Sequence, residues 1–244
     1  MDSAHSVAPR TLAVDIGGSH IKAGVLDAAG GFLSGPGRLG TPSPATPQAV
    51  LATLDKLVGE LEPFDRISVG FPGVVRRGVV LTAPNLDTAT WAEFPLASRL
   101  RERFAKPARL LNDAEVQGLG VIEGRGLECV ITLGTGMGFG LFLDGRVAPH
   151  LELSHHPVHK RKTYEEFIGA RALREVGPRR WNRRMRRVIN CLESLVNYDV
   201  LYIGGGNAKR LALDLPSNVR TVSNQAGITG GVRLWDPAME SAFA

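Results

Sequence analysis

The chain has 244 residues, with 29 Lys and Arg against 24 Asp and Glu and a formal net charge of +5. Hydrophobic residues make up 43% and charged residues 22%, which excludes a disordered chain, and no apolar run reaches the roughly 20 residues of a membrane span. The charge is uneven: from Lys160 to Arg187 eleven Lys or Arg stand against three Glu, a local +8 that suits either a polyanionic partner or a solvated helix face.

The opening "MDSAHSVAPR" has no apolar signal-peptide core and reads as a disordered start over residues 1–10. "TLAVDIGG" follows as a strand that ends in Asp15-Ile16-Gly17-Gly18, and "SHIKAGVLD" continues it as a second strand. One reading is a plain hairpin. The other is a phosphate turn, because glycines such as Gly17 and Gly18 let several backbone N–H groups close on one anion. Asp15 beside a phosphate requires a cation such as Mg²⁺ between them; the alternative is an ion pair with Lys22.

Gly30 to Pro47 reads as a strand edge and loop. Thr46 to Leu61 places Val50, Leu51, Leu54, Leu57, Val58 and Leu61 at helical spacing. "RISVGFPG" is the next strand, and Pro95 to Phe104 the next helix. "ARLLNDAE" runs a strand into Asn112-Asp113, with a helix over Asp113 to Glu123. A carboxylate at such a strand end lies where α/β folds keep their chemistry. Asp113 can take a proton from a substrate hydroxyl while Asn112 bonds a neighbouring hydroxyl, or the aspartate is only a helix cap.

"CVITLGTG" repeats the first pattern with Gly134, Thr135 and Gly136 at its turn. Ile16–Asp27 aligns on Leu133–Asp144 without a gap, with Gly17/Gly134, Leu26/Leu143 and Asp27/Asp144 identical, which suggests duplicated halves. The boundary is expected near Leu110, giving α/β domains over 11–110 and 111–244. "PHLELSHHPVH" holds four of the six histidines, but neither its spacing nor any nearby cysteine fits a closed zinc site. Glu152 and His155 suit recognition of neutral hydroxyls instead. Trp181 to Val196 is a helix with an apolar face and arginines mainly opposite. "YIGGGNAKR" ends a strand in Gly204, Gly205 and Gly206 before Lys209, as a plain turn or as a site for adenosine or further phosphate. Alternating strands and helices make the class α/β. Cys129 and Cys191, far apart in apolar contexts, read as buried free thiols of a cytoplasmic protein.

Taken together, "DIGGSHIKAGVLD", "GFPGVV", "APNLDTATW", "LLNDAEVQG", "LGTGMGFGLFLDG", "ELSHH" and "LYIGGGNAKR" resemble, in order, the ROK family of sugar kinases and regulators, and within it the polyphosphate glucokinase branch. The resemblance runs from Leu12 to Trp235. It implies an actin-like ATPase (ribonuclease H-like) fold of two related α/β domains around a cleft, and phosphoryl transfer to the 6-hydroxyl of glucose. It further implies Asp113 as catalytic base, sugar contacts from Gly73, Asn85, Asn112, Glu152, His155 and Glu165, and phosphate motifs at Asp15, Gly17, Gly18 and at Gly134, Thr135, Gly136. Gly204 to Gly206, with Lys209, fall on the segment that faces adenosine in nucleotide-using relatives. Mg²⁺ at Asp15 and a homodimer are implied as well.

Two departures bear on these expectations. The cysteine-rich zinc segment of many ROK proteins is replaced by "HPVHKRKTYEE", so no zinc is expected, and Ser154 stands where many relatives have glycine before the histidine. No winged helix is expected before Leu12, which disfavours the regulator branch. The donor is expected to be polyphosphate, tracked by the arginine-rich segment, with ATP as alternative or second donor. A strictly ATP-dependent glucokinase and a non-catalytic sugar sensor are the competing readings. Few aromatics accompany the arginines, which argues against a nucleic-acid partner.

Overall fold

The computed structural model describes residues 8–223 and 226–243. The expected disordered start therefore lies outside the described residues except for 8–10, where the Arg10 backbone N–H donates to Asp65 at 2.8 Å. Two compact units emerge: the described residues of Met1–Val116 with those of Gly227–Ala244, and Gln117–Ala226. The first unit thus runs past Leu110, and the chain comes back to it near its end.

In the first unit β1 (Thr11–Ile16), β2 (His20–Leu26) and β3 (Phe32–Gly40) form an antiparallel meander, and β4 (Arg66–Phe71) extends it in parallel on the far side of β1. Two short pairs of residues, β5 (Val75–Arg76) and β6 (Val79–Val80), make a separate ribbon. Strand β7 (Ala108–Asn112) then completes a five-stranded sheet of order β3-β2-β1-β4-β7. Helix α1 (Pro47–Val58) starts where expected, because Thr46 caps it through Oγ1 and proline is tolerated in the first turn. Its Val50, Leu51, Leu54 and Leu57 are buried against the sheet's Leu12, Val14 and Ile21. It ends at Val58, three residues before Leu61, with Gly59 as its cap. Helices α2 (Thr88–Trp91) and α3 (Leu96–Phe104) cover the same core, with Trp91 packed 4.8 Å from Phe71 between ring centroids.

The returning segment explains the discontinuous first unit. Ile228 and Val232 join Ala13 and Leu26 in one buried cluster. The Ser68 hydroxyl donates to Gly231 O at 2.7 Å and accepts from Trp235 Nε1 at 2.8 Å. Arg109 donates to Leu234 O and lies 4.5 Å over the Trp235 ring. Residues on β1, β4 and β7 thus all hold the segment.

Helix α4 (Asp113–Leu119) carries the chain into the second unit and stops short of the expected Glu123. There β8 (Leu127–Leu133) and β9 (Met137–Leu143) form a hairpin, with β10 (Arg146–Val147) on its outer edge. A small ribbon of β11 (Pro157–His159) and β12 (Lys162–Thr163) precedes α5 (Tyr164–Ile168) and α6 (Ala170–Val196). Strands β13 (Val200–Gly204) and β14 (Val219–Thr221) then add in parallel to β8, giving the order β10-β9-β8-β13-β14. Helix α6 is longer than the expected Trp181–Val196 and is kinked where Gly177 takes φ 73° ahead of Pro178. Trp181, Met185, Val188, Ile189 and Leu192 form its buried face.

Both sheets therefore repeat one plan: two antiparallel strands, a central strand, then two parallel ones. The ungapped echo needs one correction. Ile16 pairs with Ile21, but Leu133 pairs with Met137, so the second turn is one residue shorter. A one-residue slip exchanges the faces of a strand. Accordingly Ile21 and Ala23 are buried in β2, whereas Met137 and Phe139 are buried in β9.

Candidate active site

In the first unit the Asp15-to-Gly18 turn is fastened from two sides. The Gly17 N–H donates to His20 O at 2.9 Å, and Thr41 Oγ1 donates to Gly17 O at 2.5 Å. Asp15 and Lys22 are cross-strand partners, and Nζ lies 2.8 Å from Oδ2, so the expected alternative, an ion pair, is present. Asn85 reaches the same turn: a Cβ on Gly18 would stand 3.3 Å from its Cβ.

At the end of β7 the geometry separates two residues that look equivalent in sequence. Asn112 is buried, and its Oδ1 accepts from the Ala114 N–H at 2.9 Å while its own N–H donates to Glu115 Oε2 at 3.1 Å. This is a reciprocal capping arrangement, with Asn112 as the cap of α4. Its Nδ2 donates to Gly73 O at 3.1 Å and, more weakly, to Phe71 O at 3.5 Å. Asn112 is thus both the cap of α4 and a tie to the Gly73 loop. Asp113, the first helical residue, is partly exposed, and its Oδ1 accepts from Ala114 N at 2.9 Å. The Ala114 N–H is thus shared between the Asn112 and Asp113 side chains. Gly73 is held by close approach: a Cβ there would lie 2.0 Å from Thr82 O.

The second unit gathers its own set. The Gly134 N–H donates to Gly136 O, Thr135 O accepts from Ala170 N at 3.1 Å, and Gly134 O accepts from Asn207 Nδ2 at 3.0 Å. Among the described residues, no atom beyond the two chain neighbours lies within 4 Å of a Cβ built on Gly134, so packing does not demand glycine there. Glu165 packs on this turn, its Cδ 3.0 Å from a Cβ built on Gly136. The same carboxylate receives Ser154 Oγ at 3.5 Å and lies 3.9 Å from His155 Nδ1. The serine that replaces glycine is thus buried and turned toward Glu165, and His155 remains half-exposed beside it. Glu152 stands apart from this cluster, 3.6 Å from His150 Nε2.

Gly204 and Gly205 close the second turn from behind. Gly205 has φ +88°, and a Cβ on it would lie 2.3 Å from Leu133 N. The next residues lock in place through Asn207 N donating to Leu133 O at 2.9 Å. Gly206 and Lys209 are exposed, the latter in a short 3₁₀ turn over Ala208–Arg210. Sequence reasoning missed Glu115, Thr41 and Asn207. Only Glu115 left a readable trace, as the acid three residues after a capping asparagine.

Among the described residues no three His, Cys, Asp or Glu side chains gather as a metal cage. Asp15 nonetheless fits Mg²⁺, because that ion is commonly held by one or two carboxylates together with substrate phosphates.

The ROK family model matches residues 11–152. A polyphosphate glucokinase of Mycobacterium leprae (strain TN) is 32% identical over 241 residues, covering 91% of this chain and 73% of that protein. The crystal structure of an inorganic polyphosphate/ATP-glucomannokinase from Arthrobacter sp. strain KM superposes with a TM-score of 0.84 at 30% identity, over 93% of this chain and 97% of that one. A ROK family glucokinase from Streptomyces griseus, in complex with glucose and AMPPNP, shares the fold at 21% identity with a TM-score of 0.76, over 92% and 98%.

Proposed function

The chain belongs to the ROK family, and from that we propose that it is a hexokinase-type phosphotransferase, moving the terminal phosphoryl group of polyphosphate or ATP to the 6-hydroxyl of glucose. Its fold is the actin-like ATPase fold. The observation that carries the catalytic assignment is the place of Asp113, a partly exposed carboxylate on the first residue of α4 at the end of β7.

Asp113 accepts the proton of the glucose 6-hydroxyl as that oxygen bonds to the terminal phosphorus. The bond from phosphorus to the donor's bridging oxygen breaks, and the shortened polyphosphate or ADP leaves with its electron pair. Such reactions depend on positioning and charge stabilisation. Backbone N–H groups of Gly18, and of Thr135 and Gly136, bind the phosphoryl oxygens, while Gly17 and Gly134 shape the two turns through their own N–H bonds to His20 O and Gly136 O. Asp15 would hold Mg²⁺, which when bound would supply positive charge against the donor's phosphates. Gly73, Asn85, Asn112, Glu152, His155 and Glu165 take the sugar hydroxyls, and Asn112 also ties down the Gly73 loop. Gly204 to Gly206 and Lys209 bind the donor beyond its transferred group. The two free cysteines suit a cytoplasmic enzyme, and we take the assembly to be a homodimer.

Initial rates with glucose, using ATP and polyphosphate side by side, test the function: turnover with polyphosphate is expected, and glucose binding without turnover by either donor would overturn it. Gly134 offers a finer check. An alanine there meets no protein atom, so Gly134→Ala is expected to keep the wild-type melting temperature. By narrowing the approach of a phosphate to charge-assisted N–H donors it should raise donor KM by about tenfold or more. An unchanged donor KM would remove this turn from the donor site.

A further inference from the structure

The arginine-rich segment forms a groove within the second unit. Arg180, Arg183, Arg184 and Arg187 follow the i, i+3, i+4, i+7 spacing and make one stripe of α6, opposite its buried face. The facing wall is the β11–β12 ribbon, which adds His159, Lys160 and Lys162, and Phe167 forms part of the floor. This part encloses about 450 Å³. A second cavity of about 740 Å³ shares Arg183 and Arg187 and continues along the helix to Cys191 and Leu195. From Arg180 to Leu195 the helix rises roughly 22 Å. Among the described residues, no carboxylate lines either part.

The groove is held in shape. Arg184 donates to Phe167 O at 3.0 Å, and its guanidinium lies 4.8 Å over that ring. Arg187 bonds the His159 ring at 3.0 Å. Burial and then the neighbouring Arg187, Lys160 and Arg184 lower the His159 pKa, so the ring stays neutral and accepts from Arg187. Arg180, Arg183 and Arg187 are otherwise exposed, and so many like charges in a row raise the electrostatic cost of the empty groove. An anion of regular charge spacing relieves that cost along the whole stripe, which a compact anion or a nucleotide cannot do. The groove also starts close to the phosphate turn: α5 carries both Glu165, packed on Gly136, and Phe167, in the groove floor.

The geometry points to this groove as the binding site for the non-reacting length of a long polyphosphate chain, separate from the site of transfer. The inference rests on the polyphosphate reading above and adds that the enzyme distinguishes its donors by length. Tripolyphosphate and ATP end before the groove, whereas a long chain occupies it.

The test is Arg183→Glu/Arg187→Glu in the full chain, two exposed positions outside the catalytic machinery, with Arg183→Lys/Arg187→Lys as the charge-keeping control. For long-chain polyphosphate the reversal is expected to raise KM by about tenfold or more and to flatten its rise with added salt. KM for ATP and for tripolyphosphate, and kcat with both, stay at wild-type values, and the lysine variant retains most of the long-chain affinity. Long-chain polyphosphate should also protect Cys191, which lines the groove, from an anionic thiol reagent, while tripolyphosphate should not. An unchanged long-chain KM and salt slope in an enzyme that does use polyphosphate would overturn the groove alone. A wild-type enzyme that phosphorylates glucose only from ATP would overturn the polyphosphate reading, and the groove assignment with it. Single-stranded RNA that holds the groove against excess polyphosphate would overturn the inference in favour of a nucleic-acid partner.

Discussion

Asp113→Asn should lower kcat for glucose phosphorylation by about 10²–10⁴-fold, the usual contribution of a general base. The substitution keeps the shape of the side chain and an oxygen able to accept from the Ala114 N–H, as Asp113 Oδ1 does at 2.9 Å. The cap of α4 belongs to Asn112 and Glu115, so the helix keeps its start. The melting temperature and the KM for glucose are therefore expected to stay near their wild-type values. A fall in both donors' kcat by the same factor marks a residue acting on the hydroxyl common to both reactions. Near-normal turnover in the variant would remove Asp113 from the mechanism, and a parallel loss of stability would return it to a structural role.

Gly205→Ala has the second large effect, and it acts by a different route. The new methyl must take φ +88° and would sit 2.3 Å from Leu133 N and 2.4 Å from Leu133 O. The positive φ costs about 1–2 kcal/mol, and displacing well-packed backbone adds about 1–3 kcal/mol. Neither atom belongs to a flexible side chain, so β13 and β8 must separate at this end. A loss of roughly 2–5 kcal/mol lowers the melting temperature by about 4–20 °C for a domain of this size. The shift also drags Asn207, which holds Leu133 O and Gly134 O, and so moves the second phosphate turn. Donor KM should rise together with the loss of stability, unlike in Gly134→Ala, where the two separate. A wild-type melting temperature for Gly205→Ala would contradict this account of the turn.

What could be read in the sequence divides along physical lines. Apolar runs closed by glycine marked β1, β4, β8 and β13, and one closed by Asn112-Asp113 marked β7, because buried strands show few polar positions until they end. The buried stripes of α1 and of the later part of α6 were legible from their spacing. Helix ends were not: α1 stops at Val58 although Leu61 continues the apolar period, and the kink at Gly177-Pro178 joins an earlier helical stretch to the arginine helix. The register of the two hairpins was hidden as well. "IGGSH" and "LGTGM" align letter for letter in length, yet the pairing closes one residue sooner in the second. Within the site, Asn112 and Asp113 both looked like a cap or a ligand. Only the positions of Ala114 N, Glu115 Oε2 and Gly73 O show the asparagine as the cap of α4.

The contacts of Gly231, Leu234 and Trp235 with Ser68 and Arg109 make the second unit an insertion within the first. During synthesis the chain emerges N-terminus first, and domains tend to form as soon as their residues are out. Gln117–Ala226 is complete while the first unit still lacks the segment that covers Ala13 and Leu26. The nascent protein therefore finishes its second unit before its first. Asp113, made before the second unit, stands on a sheet that is closed only by residues made after it.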